Sequence, residues 1–147
     1  MRALVQRVSQ AKVTVDDQIV GQIGVGFVVL VGVTHTDTPA EAEWLAQKVA
    51  GLRLFEDAEG KMNLGLKEVG GSVLVISQFT LYGDAVKGRR PSWIAAARPE
   101  QADPLISHFV HQLEAQGLTV ATGVFGAHMM VDIQNNGPVT LMLEREA

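Results

Sequence analysis

The chain contains no cysteine. Disulfides, thiol nucleophiles and cysteine metal sites are therefore excluded. It has no run of eighteen apolar residues, so no transmembrane helix is expected and no membrane is called as a partner. Met1 to Val8 lack the apolar stretch and small-residue cleavage site of a signal peptide. They read as a first strand, and a cytoplasmic protein is the expectation. An excess of cations is missing too. The net charge of −4 argues against a protein that coats nucleic acid without specificity. It leaves room for a local basic site, and Lys87, Arg89 and Arg90, with Arg98 nearby, are the densest cationic cluster. No Gly-x-Ser-x-Gly elbow occurs. Neither does a P-loop or a dinucleotide fingerprint, since Gly21, Gly24 and Gly26 have the wrong spacing.

What remains fits one domain. The 147 residues are 47% hydrophobic, enough for a proper core in a chain of single-domain size. No linker, low-complexity tract or convincing repeat divides it. Residues 2–8 and 12–15 read as short strands, with Asp16-Asp17 as a turn before a strand from Gln18 to Val20. Ile23 to Val33 reads as a strand buried on both faces. Thr38, Pro39 and Glu41 form a helix start with a capping box, and Ala42, Leu45, Ala46 and Val49 supply its apolar face up to Gly51. Leu52 to Phe55 and Lys61 to Leu64 flank a turn at residues 57–60. Ser72 to Leu81 reads as a strand whose far end turns polar. Asp103 and Pro104 start a second helix with Leu105, Ile106, Phe109, Val110 and Leu113 inward, closed by Gly117. Leu118 to Thr122 and Val124 to Ile133 read as strands. Alternation on both sides of Asn135 to Thr140 predicts two strands joined by a tight turn, because Pro138 lacks an N–H and has a fixed φ. The pattern predicts a mixed sheet with two main helices.

The residues offer little conventional catalytic machinery. His108 and His111 are three apart on the second helix and could share a ligand, but further ligands are not evident. Glu56, Asp57 and Glu59 read as solvated turn carboxylates. Ser77 has no histidine near it in sequence, and Thr80 is the best hydroxyl candidate without an evident activator. No cofactor and no metal are called. The basic loop at residues 83–92 points to an anionic ligand.

Two motifs, Ser77-Gln78-Phe79-Thr80-Leu81 and Asn135 through Thr140, sit among a wider set of matches. These include Met1 to Val8, Phe55-Glu56-Asp57, Gly60 to Leu64, Arg90-Pro91-Ser92 and Phe125-Gly126-Ala127 with Met129. With them the chain resembles the D-aminoacyl-tRNA deacylase family nearly end to end. The resemblance implies a single α/β domain over residues 1–147, with a barrel-like core and a homodimer whose active sites lie at the subunit interface. It implies hydrolysis of the ester in D-aminoacyl-tRNA, and the aminoacylated 3′ end of tRNA as partner. Ser77, Gln78, Phe79 and Thr80 are implied to form the catalytic pocket strand. Gly137 and Pro138 are implied to be a cis pair reaching into the partner's pocket. Their carbonyls would hold the α-amino group and leave no room for an L-side chain. Met129 matches a pocket-wall position, and Arg7 matches a residue that braces the Gly-Pro turn. Glycine has no Cβ to clash, so glycyl-tRNA, mischarged on tRNA-Ala, should also be admitted. The implied mechanism is assisted by the RNA 2′-OH, with backbone N–H groups near Phe79 and Thr80 stabilising the oxyanion; Thr80 as a covalent nucleophile is the alternative. Two other readings stay open: a non-catalytic RNA-end or nucleotide-binding module, and a metal-dependent amidohydrolase using His108 and His111.

Overall fold

The computed structural model describes all 147 residues. Strand β1 runs unbroken over Arg2–Val15, where the pattern predicts two short strands. Asp16 and Asp17 both take positive φ, 48° and 63°, conformations that Asp tolerates in a tight turn. Strand β2, Gln18–Ile23, returns from that turn, and β3 follows over Gly26–Gly32. Helix α1, Pro39–Gly51, starts as predicted. The Thr38 N–H donates to Glu41 Oε2 at 2.7 Å, and the Thr38 hydroxyl accepts from the Ala40 N–H at 3.3 Å. Strands β4, Phe55–Glu56, and β5, Met62–Leu64, form a separate small ribbon. A one-turn helix α2, Leu66–Val69, precedes β6 at Ser72–Ser77.

Four further predicted elements need correction. The strand from Ser72 ends at Ser77, and residues Phe79–Tyr82 form a 3-10 turn. Helix α3 spans Pro99–Ala115, so it starts ahead of the predicted Asp103. Pro99 takes the first helical position, which needs no N–H, and Pro104 is accommodated inside. After β7, Thr119–Thr122, residues 124–129 are irregular, and one long strand β8 covers Met130–Glu144. The tight turn predicted at Asn135 to Thr140 is absent. Strand β1 instead pairs antiparallel with β8 on both sides of Gly137-Pro138, and the register slips between Gln6 and Val8 and again between Val8 and Gln10. A proline without an N–H is tolerated there because the ladder is already interrupted.

The main sheet has the order β2-β1-β3-β6-β7, with β8 added along β1. Strand β1 is antiparallel to β2, β3 and β8, whereas β3–β6 and β6–β7 are parallel. The outer strands β2 and β7 come together: a Cβ on Gly21 would lie 2.3 Å from the Thr122 carbonyl oxygen. The mixed sheet is thus a nearly closed barrel, as the resemblance implies. Its two faces bury different residues, following the period of two. Phe27, Val29, Val31, Val73 and Val75 face α1 and α3, against Leu45, Phe109 and Leu113. Val28, Leu74 and Ile76 face the barrel interior, with Val8, Val13 and Ile23. Within β1 the inward face changes at the register slip, from Ala3 and Val5 on the helix side to Val8, Ala11 and Val13 in the barrel. No helix is long and apolar enough to cross a membrane.

The α1 cap gives a direct test. Thr38→Ala should lower stability by about 1 kcal/mol in urea unfolding near neutral pH. The Thr38 hydroxyl, bonded to the Glu41 carboxylate, is the largest cause holding that carboxyl below its ordinary 4.5, while burial opposes the shift. A depressed folded-state value stabilises above 4.5 and loses that contribution as pH falls through the folded value. The gap between wild type and Thr38→Ala should therefore narrow in acid.

Candidate active site

The end of β6 opens on a cleft of about 350 Å³. Nine of its twelve lining residues are hydrophobic, and none is ionisable. Ser77 and Phe79 form one wall, with Trp93, Ala97, Ile106 and Phe125 opposite and beneath. A smaller cavity of about 180 Å³ shares Ser77, Ile106 and Phe125 and adds the polar groups of Asp103, Ser107 and Thr122. The Phe79 ring meets Trp93 edge-on, with centroids 5.6 Å apart. Trp93 is seated against Gly83, where a Cβ would come 2.2 Å from its ring. Gly83 has an ordinary φ of −67°, so glycine is needed there for space alone.

Hydrogen bonds fasten the segment that carries Trp93. His35 Nε2 bonds the Ile94 carbonyl at 2.6 Å, and the Thr34 hydroxyl donates to the Ala95 carbonyl at 2.6 Å. The Ala97 N–H donates to Val33 O at 2.9 Å, continuing from the end of β3. Behind this wall the Met1 ammonium is fully buried and paired with Asp37 at 2.7 Å. Arg2 donates to the Leu81 carbonyl at 2.7 Å, ion-pairs with Glu144 at 3.2 Å and lies over the Tyr82 ring at 4.4 Å. The start of β1 thus ties the 3-10 turn to the end of β8. The Tyr82 hydroxyl is buried without a partner. Burial, aided by the Asp37 charge, pushes its phenol well above the usual range, so it stays neutral.

The Gln78 side-chain amide donates to the Thr80 hydroxyl. No imidazole or carboxylate bonds to Thr80. The Phe79 and Thr80 N–H groups open the 3-10 turn and meet no backbone acceptor, as the first donors of a helical turn do not. Ser77 and Phe79 therefore line the cleft, and Gln78 and Thr80, bonded to each other, alternate with them along the same short segment. Met129 packs on the barrel-interior group and against Gly123, which lines the smaller cavity; a Cβ on Gly123 would sit 2.6 Å from its sulfur. His108 pairs with Glu43 at 2.9 Å, joining α3 to α1. No three His, Asp or Glu side chains gather into a metal-binding group.

Gly137 and Pro138 are exposed, and the bond between them is cis. Arg7 is only 5% exposed, and its guanidinium faces three neutral acceptors. It donates to the Asn136 carbonyl at 3.1 Å, Asn136 Oδ1 at 3.3 Å and the Leu54 carbonyl at 2.7 Å. Asn135 answers from the other side, its amide donating to the Arg7 and Val139 carbonyls at 2.9 and 3.2 Å. The corner is thereby fixed but stands apart from its own chain's cleft. Ser77 is in register with Val31, Val31 with Ala3, and Ala3 with Leu143. Three strand spacings and five residues separate it from Pro138, on the order of 20 Å. The wall formed by Trp93 and Phe125 had no local signal in the sequence; only the fold brings these residues to Ser77.

Comparison with known proteins gives a consistent picture. A family model described as D-Tyr-tRNA(Tyr) deacylase matches residues 4–144. The chain is 59% identical over 146 residues to a D-aminoacyl-tRNA deacylase of Symbiobacterium thermophilum, covering 99% of this chain and 97% of that one. It is 56% identical to one from an Exiguobacterium species, over the full length of both. It is 60% identical to one from Thermomicrobium roseum, covering 98% and 94%. Among solved structures, the c-Myc DNA Unwinding Element Binding Protein superposes with a TM-score of 0.92 at 40% identity over all of both chains. A probable eukaryotic D-amino acid tRNA deacylase superposes with a TM-score of 0.82 over 97% of each; at 20% identity it supports the fold alone.

The Arg7 contacts yield a second test. Arg7→Met keeps the apolar stem and leaves three acceptors without a donor. It should cost about 2–3 kcal/mol in urea unfolding. Arg7→Lys should recover only part of this, because a single ammonium cannot reproduce the planar fork.

Proposed function

This chain belongs to the D-Tyr-tRNA(Tyr) deacylase family, and from that membership we propose how it works as a hydrolase of D-aminoacyl-tRNA. The full-length match to D-aminoacyl-tRNA deacylases carries the reading. The cleft at Ser77 to Thr80 takes the terminal adenosine and its ester. Its apolar walls exclude water except where attack occurs, which strengthens every polar contact inside. The unpaired N–H groups of Phe79 and Thr80 receive the negative charge that develops on the ester oxygen. The 2′-OH of the terminal ribose assists the attacking water, since the cleft offers no side-chain base. Water adds to the carbonyl carbon, the bond to the ribose 3′-oxygen breaks, and that oxygen takes up a proton. Free D-amino acid and tRNA leave.

Chirality is read by the corner at Gly137-Pro138. In one chain that corner is exposed and far from the cleft, while β8 has an open outer edge. Two copies of the chain therefore complete each site, the corner of one entering the cleft of the other. The corner's carbonyls accept from the α-ammonium, which leaves an L-side chain pointing into backbone and a D-side chain pointing away. Specificity comes from rejecting the wrong substituent. Glycine carries no such substituent, so glycyl-tRNA, including glycine mischarged on tRNA-Ala, passes the same filter. We assign the reaction to the cytoplasm, where aminoacylated tRNA is used.

A second reading has one specific support, the similarity to a protein named for binding a DNA unwinding element. It makes this chain a non-catalytic nucleic-acid-binding module. Turnover separates the two. D-tyrosyl-tRNA should be hydrolysed and L-tyrosyl-tRNA left intact by at least about 10²-fold, with EDTA having no effect. Equal rates for the two enantiomers would remove the chiral filter, no turnover of either would favour the binding module, and loss of activity in EDTA would revive a metal mechanism. Thr80→Val should retain turnover within about tenfold in the RNA-assisted route, whereas a covalent nucleophile would lose at least ~10³-fold.

A further inference from the structure

We propose that the exposed loop between Asp84 and Ser92 is a phosphate-binding surface for the RNA backbone leading to the 3′ end. The proposal rests on the functional reading above, and it adds the place where the tRNA body is held. Residues 85–98 carry four of the chain's twelve Lys and Arg residues and none of its sixteen Asp and Glu. That segment is therefore +4, and the remaining residues, with eight cations and sixteen acids, are −8. A polyanion approaching such a chain is drawn to this segment in preference to the net-acidic remainder.

The loop is built to present this charge. The Asp84 and Ser92 backbones exchange two hydrogen bonds, at 2.7 and 2.8 Å, which close its base. Asp84, the nearest acid, caps the loop's own backbone: its Oδ1 accepts from the Val86 N–H at 2.9 Å. Every residue from Gly83 to Pro91 is exposed. Lys87, Arg89 and Arg90 take part in no ion pair, whereas Arg98 is partnered by Glu100 at 3.7 Å. A solvated surface loop would normally intersperse both signs; this one holds three unneutralised cations within four residues.

Its position also fits. Trp93 follows the loop directly and forms the cleft wall against Phe79. Arg90 is three residues from Trp93, so their Cα atoms are no more than about 11 Å apart. Gly83, at the other end of the loop, is pressed against the same tryptophan ring. An RNA whose terminal nucleotide occupies the cleft has its preceding phosphates within reach of Lys87, Arg89 and Arg90. Phosphate contacts of this kind position the ligand and carry no base specificity.

The test compares wild type with Lys87→Glu/Arg89→Glu, and with the charge-preserving Lys87→Arg/Arg89→Lys. Three quantities are measured: affinity for uncharged tRNA across a salt series, kcat/KM for D-tyrosyl-tRNA, and kcat/KM for the D-tyrosyl ester of adenosine. In the charge-reversed variant, tRNA affinity and kcat/KM on D-tyrosyl-tRNA should fall about tenfold or more near 0.1 M salt. The log–log salt slope should shrink by about one to two. The adenosine ester, which carries no phosphate, should be turned over within about twofold of wild type. The charge-preserving variant should match wild type throughout. Unchanged tRNA affinity, or an equal loss on both esters, would overturn the assignment. Wild type that binds tRNA in the same charge-dependent way but hydrolyses neither ester would leave this surface standing and defeat the functional reading instead.

Discussion

A buried guanidinium with no acid beside it holds the middle of β8 in place. Strands β1 and β8 could pair as one continuous ladder only if their registers agreed at both ends, and they do not. Two slips lie between those ends, where backbone groups lose their ladder partners. Arg7 projects into this gap with its stem buried, continuing the inward face of Ala3 and Val5. Its planar head supplies donors to Asn136 and Leu54, and the Asn135 amide returns a bond to the Arg7 carbonyl. Removing a desolvated charge from water is costly, and three hydrogen bonds to neutral oxygens offset that cost only while the strand stays where it is. The contact is therefore reciprocal: the corner needs Arg7, and Arg7 needs the corner. It lets β8 run on past Pro138 and keeps Gly137-Pro138 at the surface in a defined place.

The cleft depends on a different set of ties, and the start of β1 is common to both. Residues near Met1 and Arg2 anchor Asp37, the 3-10 turn and the end of β8. Five residues after Arg2, the same strand carries the gap that Arg7 fills. One strand thus sets both the position of the pocket and the position of the corner, several strand spacings and residues apart. That separation is the physical basis for the two-copy site proposed above: a rigid corner that cannot fold back onto its own cleft is available to another.

How much of this could be read from the residues depended on how local the cause was. The α1 start was legible because Thr38, Pro39 and Glu41 satisfy one another within four residues. The Asp16-Asp17 turn and the two-sided burial of β3 were legible for the same reason. Alternation through Val73 and Val75 against Leu74 and Ile76 gave the two faces of β6 correctly, but it carried on past Ser77. There the chain leaves the sheet: Gln78 N–H still bonds Val31 O at 2.7 Å, and Leu81 N–H bonds Gln78 O at 3.2 Å instead of a neighbouring strand. Pro138 misled in the opposite direction. A proline among alternating residues reads as a strand break, because the pattern cannot show that β1 has already lost register beside it. Asp103-Pro104 imitates a helix start inside α3, whereas the true start at Pro99 has a proline but no side-chain cap from Arg98 to signal it. The barrel closure at Gly21 and Thr122 left no trace in either segment, since it requires the whole sheet to curl.

The sparse catalytic inventory follows from the cleft's own physics. An ionisable group on an apolar wall without a partner would be driven toward its neutral form, and this wall carries none. What remains is backbone. Amide N–H groups cannot be titrated away near neutral pH, and their direction is set by the fold before substrate arrives. In a cleft with apolar walls, such dipoles act through a low local dielectric and need no reorganisation as charge develops. In the mechanism proposed above no side chain acts as base at the ester, so proton transfer falls to groups that the substrate brings. Dependence on the substrate's hydroxyl in turn favours an RNA ester over a simple one. On that proposal, the poverty of side-chain chemistry and the demand for a nucleic-acid substrate have the same origin.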